Sequence, residues 1–208
     1  MSTDATNFLP GDIAACFGVD LTSRVISYGT GAIFAPSGLR LGPSHVAVIA
    51  RRDDVPLWIE STTLASRACL ITGEHVAGVQ AHGPEERVDD YCSSGGAVHL
   101  YRLVEIEQLS RDENALLNRI LIDHFLQSAV RYNWRGAFLS GTRVFQLSRF
   151  FPGADLHQLF CSELVAAVLM RLGRLPRDNP TRFNPARLLR TLVRNGTYRL
   201  ERRWETPR

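Results

Sequence analysis

Cys161 stands at the start of a segment whose apolar residues follow the spacing of one helical face. Gly173 follows that segment and is a natural helix stop. A thiol in the first turn of a helix feels the positive end of the helix dipole and the free backbone N–H groups there. Both favour the thiolate, the form that attacks carbonyl carbons. Cys161 is therefore a candidate nucleophile. The apolar residues that define the face are Leu164, Val165, Val168, Leu169 and Leu172.

A histidine and a glutamate lie on two segments that flank a short polar turn. Residues 44–50 and 55–61 are rich in the β-branched and aromatic residues typical of strands. A pairing symmetric about the four residues between them sets His45 opposite Glu60. Opposed residues in an antiparallel pair share a face, with Cβ atoms about 5 Å apart, whereas a slip of one residue separates them. The turn length thus predicts a carboxylate beside an imidazole.

These three side chains have the types that thiol catalysis requires. The chemistry needs a nucleophile, a base that takes its proton and a group that fixes the tautomer of the base. Cys161, His45 and Glu60 would fill these roles in that order. The residue types alone are a weak signal, because a buried cysteine is more often inert packing. Tyr132 opens an aromatic, glycine-containing segment, 132–152, that we interpret as a pocket wall, and its hydroxyl is a candidate for oxyanion or substrate binding.

The remaining titratable residues are interpreted structurally. Glu163 is expected to stabilise the first turn of the cysteine helix, and Asp12 to serve a turn. We expect free thiols, no metal ion and no cofactor, because no two cysteines have the spacing of zinc ligands. His75 and His82 lack a cysteine or carboxylate at a useful spacing, His99 is expected to pack across strands, His124 and His157 receive no role, and Cys16, Cys69 and Cys92 are interpreted as packing or surface thiols.

The other elements predict an α+β domain in which the cysteine helix packs against an antiparallel sheet. Pro56 indicates that its strand is an edge or starts irregularly. Asn184 and Pro185 are typical of the N-cap and first position of a helix. The further predictions are a strand at 13–17, loop over 20–43, a short strand at 78–81, a short helix or loop at 84–91, a strand at 97–104, a helix over 112–131, a helix over 185–194 and a last strand at 197–202.

The composition is that of one globular domain. The chain has 208 residues, of which 45% are hydrophobic and 22% charged, so we predict one domain with a loose terminus at 1–10 and an arginine-rich extension at 174–208. No apolar run reaches the length of a membrane span. The first ten residues lack the features of a signal peptide, so the expected location is the cytoplasm, with export by another route left open.

All basic residues are arginine, and they are concentrated toward the C-terminus. From Arg171 onward 11 arginines stand against 3 acidic residues. Such a region could face an anionic partner or could form an ordinary solvated surface. Aromatic residues are not interleaved with the arginines, so nucleic-acid binding is not predicted.

The segment Leu159–Val165 resembles the cysteine-helix motif of the circularly permuted branch of the NlpC-type, papain-like cysteine peptidases, the YiiX-like group. Residues 11–13 resemble the opening strand of that family. Ser44–Val48 resembles its histidine strand, which is followed by a strand carrying a carboxylate, here Glu60. The cysteine helix follows the histidine strand by more than a hundred residues, which is the order that defines the permuted branch. Ala47 stands where a glycine is common.

The resemblance implies a permuted papain-like α+β fold, an antiparallel sheet or partial barrel with the cysteine helix packed against it. It implies a cysteine hydrolase that cleaves an amide bond in a peptide or peptidoglycan-like substrate through a thioester acyl-enzyme. Two alternatives remain open. One is an acyltransferase or a lipid amide or ester hydrolase with the same three residues. The other is a non-catalytic module that binds an anionic partner through its arginine-rich region. The sequence does not define the oligomeric state.

Overall fold

The computed structural model describes five parts of the chain. Two short segments among them, 131–132 and 158–159, are described by their backbone alone. The loop predicted over 20–43 lies almost entirely outside the described residues, as does the pocket wall predicted over 132–152 apart from its first residue. The described residues are 7–19, 42–63, 66–126, 131–132 and 158–205.

An antiparallel sheet forms the centre of the fold. Six strands run in the order β4-β3-β2-β1-β5-β8, and the two-residue strands β6 and β7 extend the sheet beyond β4. Each neighbouring pair is antiparallel except β6 and β7, which are parallel. The strands are β1 (Ile13–Phe17), β2 (His45–Arg52), β3 (Val55–Thr62), β4 (Gly78–His82), β5 (Ala97–Leu103), β6 (Arg131–Tyr132), β7 (Gln158–Leu159) and β8 (Tyr198–Glu205).

Helices cover the two faces of the sheet unequally. Helices α2, α3 and α4 pack with the π-helical turns after α2 on one face, where alternate strand residues such as Val46 and Val48 join the larger core. Helix α1 covers the other face, above Ala47 and Trp58. This is the α+β arrangement predicted from the sequence. The helices are α1 (Pro84–Ser93), α2 (Arg111–Asn118), its π-helical continuation Arg119–Leu126, α3 (Cys161–Arg171) and α4 (Pro185–Arg194), with 3-10 turns at Glu105–Glu107 and Pro180–Arg182.

Helix α3 begins at Cys161, as predicted. Every residue from Cys161 to Met170 is buried, so the helix is surrounded by protein instead of showing one apolar face. The backbone N–H of Phe160 donates to Glu163 Oε2 at 2.8 Å and caps the first turn. Gly173 ends the helix with φ +70°, a conformation that favours glycine.

The β2–β3 hairpin has a tighter turn than predicted. Asp53 and Asp54 alone form the turn, with φ 50° and 63°, the left-handed geometry of a two-residue hairpin connection. Arg52 therefore pairs with Val55. The predicted pairing of His45 with Glu60 is wrong by two residues, because the two arginines continue the strand instead of turning.

Of the two alternatives predicted for the strand of Pro56, an edge position or an irregular start, the edge position is wrong. Strand β3 lies between β2 and β4, inside the sheet. Pro56 is opposite Arg51 near the hairpin end, and the pairing with β4 begins only at Trp58. The missing N–H of the proline is tolerated there because no β4 residue is paired with it.

The helix predicted over 112–131 is shorter and changes its winding. The α-helical part ends at Asn118, π-helical turns continue to Leu126, and Arg131 lies in β6. Leu116 is 36% exposed, whereas Leu117 is fully buried. The apolar residues in this segment do not all fit one helical face.

The arginine-rich region contributes two elements to the fold. Asn184 caps α4 by accepting the N–H of Arg187 at 2.7 Å, as its sequence predicted. Strand β8 pairs with β5 along its length and extends beyond the predicted end. The strands predicted at 13–17, 78–81 and 97–104 are confirmed with bounds within one residue. In the described residues, no helix combines the length and the apolar character that crossing a membrane requires.

Candidate functional site

Glu60 is a fully buried carboxylate whose two oxygens have different partners. Its Oε2 lies 2.7 Å from His45 Nε2. Its Oε1 forms an ion pair with Arg87 Nη2 at 2.8 Å. Since a buried carboxylate is stabilised only when opposite charge or hydrogen bonds replace water, both partners are needed to hold Glu60 in its ionised form.

Strand alternation explains why His45 and Glu60 meet despite the altered register. The pairing differs from the predicted one by two residues, and an even shift leaves each side chain on its original face. Continuing the observed register sets Glu60 opposite Ala47, two residues along β2 from His45. Such a diagonal separation is within reach of two long side chains.

Cys161 approaches His45 from the other face of the sheet. The cysteine is buried in the larger core, at the first residue of α3. His45 is the first residue of β2, so its ring lies at the end of the strand. The Cys161 sulfur lies close enough to the ring to raise the pKa of His45, through its charge and through hydrogen bonding. Since Nε2 of the ring faces Glu60, Nδ1 is the nitrogen left for the sulfur. We call Cys161, His45 and Glu60 the thiol cluster.

Electrostatics within the thiol cluster favour charged partners. Burial opposes a charged imidazole, but the Cys161 sulfur and Glu60 outweigh burial and raise the pKa of His45 to about 10. Burial also opposes ionisation of Glu60, but the hydrogen bond to His45 and the charge of Arg87 lower the pKa of Glu60 to about 2. The contacts within the thiol cluster therefore favour an imidazolium at His45 and a carboxylate at Glu60.

Arg87 is a site residue that sequence reasoning missed. It lies on α1, in a segment interpreted only as acidic helix or loop, and its side chain is 7% exposed. Besides Glu60 it contacts Asp90 Oδ2 through Nη1 at 3.1 Å. Asp90 in turn accepts two hydrogen bonds from Arg67, at 2.7 and 2.6 Å. The i,i+3 spacing of Arg87 and Asp90 was the available signal, but burial of an arginine cannot be recognised without the fold.

His82 also lies beside the thiol cluster, which contradicts the sequence interpretation. Its Nε2 is 3.9 Å from Glu60 Oε1 and 2.9 Å from Gln80 Oε1. Burial lowers the pKa of His82 despite the nearby Glu60 charge, so the ring is neutral. Sequence spacing failed here because His82 and Glu60 belong to neighbouring strands, on which Glu60 is opposite Gln80.

Other predicted residues take structural positions. Glu163 caps α3, as expected. Asp12 accepts the N–H of Leu9 at 2.9 Å and forms an ion pair with Arg102 at 2.8 Å. His99 packs on Phe17 with ring centroids 4.5 Å apart, which confirms the predicted cross-strand packing. No disulfide joins any of the four cysteines, all of which lie in the described residues.

Tyr132 lies close to the cysteine along the backbone. In the β6–β7 pairing it is opposite Leu159, two residues before Cys161. Its side chain is outside the described part of the structure. The oxyanion or substrate-binding role of Tyr132 stays a prediction.

The arrangement is suited to nucleophilic chemistry. A thiol in contact with an imidazolium can exist as a thiolate, and a buried carboxylate stabilises the imidazolium. The first-turn N–H groups of α3, including that of Cys161, have no partner four residues earlier in the helix. They lie next to the sulfur and could stabilise an oxyanion. In the described residues, no group of three or more His, Cys, Asp or Glu side chains is arranged to hold a metal ion.

Comparison with known proteins supports the fold. No family model matches the sequence, and no curated protein matches it. Among solved structures, the chain is similar to the crystal structure of the metalloprotein yiiX from Escherichia coli O157:H7. The TM-score is 0.50 at 13% sequence identity, and the match covers 80% of this chain and 67% of that one. At this identity the likeness shows a YiiX-like fold alone.

Proposed function

We propose that this protein is a cysteine hydrolase that cleaves amide bonds, with Cys161 as nucleophile, His45 as base and Glu60 as the residue that orients His45. The observation that supports the proposal best is the position of the His45 ring between the other two residues. One ring nitrogen contacts Glu60 at 2.7 Å, and the Cys161 sulfur is close enough to raise the pKa of His45. A nucleophile, a base and an orienting group are thus connected in the order that covalent acyl chemistry requires.

The reaction would proceed in two halves. His45 holds the thiol proton while the Cys161 thiolate attacks the carbonyl carbon, and the resulting oxyanion is stabilised by first-turn N–H groups of α3. His45 then donates its proton to the leaving amine, which leaves a thioester on Cys161. Water, activated by His45, releases the acid and restores the thiol. An amine or alcohol in place of water would make the same chemistry acyl transfer.

We further propose that the fold is the permuted papain-like one of the NlpC-type peptidases. The order of the elements supports this: the histidine strand β2 and the carboxylate strand β3 precede the cysteine helix α3. The likeness to yiiX supports the fold only. The name of that protein calls it a metalloprotein, but Glu60 Oε1 already faces the Arg87 guanidinium, which would repel a metal cation. No step of the proposed reaction uses a metal.

Within the proposed peptidase group, the substrates to test first are peptides and peptidoglycan fragments. The non-catalytic alternative is less favoured, because several arginines on which it relies are paired. Arg174 contacts Glu107 and Glu113 at 3.2 and 2.9 Å, and Arg182 contacts Asp178 at 2.7 Å. These contacts reduce the positive charge available to an anionic partner.

The proposed function is tested by trapping the acyl-enzyme. The protein is incubated with peptidoglycan-derived peptides and, separately, with a lipid amide, and intact-mass spectrometry follows an acid quench. We expect a mass increase equal to the acyl group, removed by hydroxylamine and localised to Cys161. Cys161→Ser should abolish both the adduct and amine release, whereas Cys92→Ser, on α1, should leave both unchanged. Amide cleavage that survives Cys161→Ser would contradict the proposal.

A further inference from the structure

Arg87 occupies a position that the proposed reaction does not yet explain. Its side chain is 7% exposed, and its two terminal nitrogens contact carboxylates on two different elements. One is Glu60 on β3, at 2.8 Å, and the other is Asp90 on α1, at 3.1 Å. The guanidinium is thus held between β3 and α1, by an ion pair with Glu60 and by a hydrogen bond to Asp90.

The charges alternate in sign from the thiol cluster to the surface. His45 is followed by Glu60, Arg87, Asp90 and Arg67, and each neighbouring pair is in contact. Arg67 donates two hydrogen bonds to Asp90, and its side chain is 41% exposed. The chain of contacts therefore connects the buried carboxylate to a residue at the protein surface.

Among the described residues, the other titratable groups around Glu60 do not replace the charge of Arg87. His82 on β4 lies 3.9 Å away and is neutral, because burial lowers its pKa. Cys16 on β1 and Tyr91 on α1 are protonated, because burial raises the pKa of each. His45 and Cys161 are themselves reacting groups whose protonation changes during catalysis. Arg87 is the neighbour of Glu60 that stays positive throughout.

We infer that Arg87 is a positioning residue of the thiol cluster: it holds Glu60 Oε1 so that Oε2 faces His45, and Asp90 with Arg67 holds Arg87. This inference rests on the proposed function. Without Arg87, Glu60 would bind a proton more readily. A Glu60 that is protonated or turned away from His45 no longer stabilises the imidazolium, so the thiolate–imidazolium pair would shift toward a neutral thiol and a neutral imidazole.

The test measures the alkylation of Cys161 by iodoacetamide as a function of pH, which requires no knowledge of the substrate. Arg87→Gln is expected to shift the acid limb of the profile upward by about one pH unit and to slow labelling at pH 6 about tenfold, since one pKa unit is a factor of ten in protonation. The reason is that Glu60, no longer held at Oε1, loses the contact with His45 that stabilises the imidazolium. Arg87→Lys keeps the positive charge but loses the planar guanidinium that contacts two carboxylates. Its alkylation rate should lie between those of Arg87→Gln and the wild type.

Arg102 provides a matched control. Its side chain is 13% exposed and bridges Asp12 and Glu201 at 2.8 and 2.9 Å, so Arg102→Gln breaks a comparable pair of ion contacts. Asp12 precedes β1, whereas His45 is opposite the other end of that strand at Cys16. Arg102→Gln should therefore lower the melting temperature but leave the alkylation profile of Cys161 unchanged.

A double-variant measurement separates positioning from general stabilisation. If Arg87 acts through Glu60, then Arg87→Gln in a Glu60→Gln background should change the alkylation rate less than twofold, a non-additive result expected for coupled residues. Additive effects would overturn the inference. If Arg87→Gln does not fold, Asp90→Asn removes the more exposed of the two carboxylates that contact Arg87. The expected loss in the alkylation rate of Cys161 is about threefold. A wild-type profile for Asp90→Asn would then overturn it.

The possible failures are distinguishable. A wild-type profile for folded Arg87→Gln, together with a shifted profile for Glu60→Gln, overturns the role of Arg87 and leaves the proposed function intact. Equal reactivity of Cys161 and Cys92 in the wild type, unaffected by His45→Ala, instead overturns the proposed function and this inference with it.

Discussion

The His45 imidazole and the Glu60 carboxylate meet at 2.7 Å although the two residues are not opposite each other in the β2–β3 ladder. The two-residue turn at Asp53 and Asp54 sets the register, and the register sets the diagonal contact. The base of the proposed reaction is thus oriented by a hairpin whose geometry is fixed at its far end.

The acid stability of the protein should depend on Glu60. The pKa of this carboxyl is lowered from 4.5 to about 2 in the folded protein. A depressed carboxyl pKa contributes stability that is present above pH 4.5 and is lost as the pH falls toward 2. Above pH 4.5 the free energy of unfolding of Glu60→Gln should therefore be lower than that of the wild type by a constant amount, on the order of 3 kcal/mol. Below pH 4.5 this difference should shrink.

Urea unfolding of wild type and Glu60→Gln at pH 7, 4 and 3 checks this pH dependence. Asp112→Asn, at the exposed start of α2, is the control and should show no comparable trend. A deficit of the Glu60→Gln variant that is equal at all three pH values would contradict the ionised, paired state of the carboxylate.

The hairpin turn should accept glycine with a gain in stability. Asp54 has φ 63°, which is unfavourable for residues with a Cβ atom. Asp54→Gly should raise the free energy of unfolding by about 0.5–1 kcal/mol and leave the alkylation of Cys161 unchanged, because the register is preserved. Asp89→Gly, at an exposed helical position in α1, should lower the stability by about 0.5 kcal/mol. Destabilisation by Asp54→Gly would argue against the two-residue turn.

Glu163 should prove structural. Its carboxylate accepts the N–H of Phe160 in the turn that carries Cys161. Glu163→Ala removes the acceptor of a buried donor and should cost about 1–3 kcal/mol of stability. Glu163→Gln keeps an acceptor oxygen and should stay close to the wild type in both unfolding and Cys161 alkylation. Loss of alkylation in a stable Glu163→Gln variant would instead indicate an acid–base role.

The local features of the sequence predicted the elements well. Helix α4 shows why: Asn184, Pro185 and Gly196 specify its two ends through short-range hydrogen bonds and backbone preferences. The sequence predicts the start of α3 at Cys161 for the same reason. It does not predict the hairpin register, because Arg51 and Arg52 are compatible with either a turn or a strand, and only pairing across the sheet decides between them.

The surroundings of the thiol cluster were harder to predict. Arg87 and His82 come from a helix and a strand that reach Glu60 only in the folded chain. A charged residue on a polar helix gives no sequence signal of burial. The contact between His45 and Glu60 was expected despite the wrong register, since side-chain alternation tolerates an error of two residues but not of one.

The central claim, that His45 activates Cys161, is tested most directly by site-resolved alkylation of the four cysteines with iodoacetamide at pH 6.5. We predict that Cys161 reacts faster than the half-buried Cys92, although Cys161 is buried, and that His45→Ala slows Cys161 at least tenfold without changing Cys92. Labelling of Cys161 at the rate of Cys92 or slower, unaffected by His45→Ala, would contradict it.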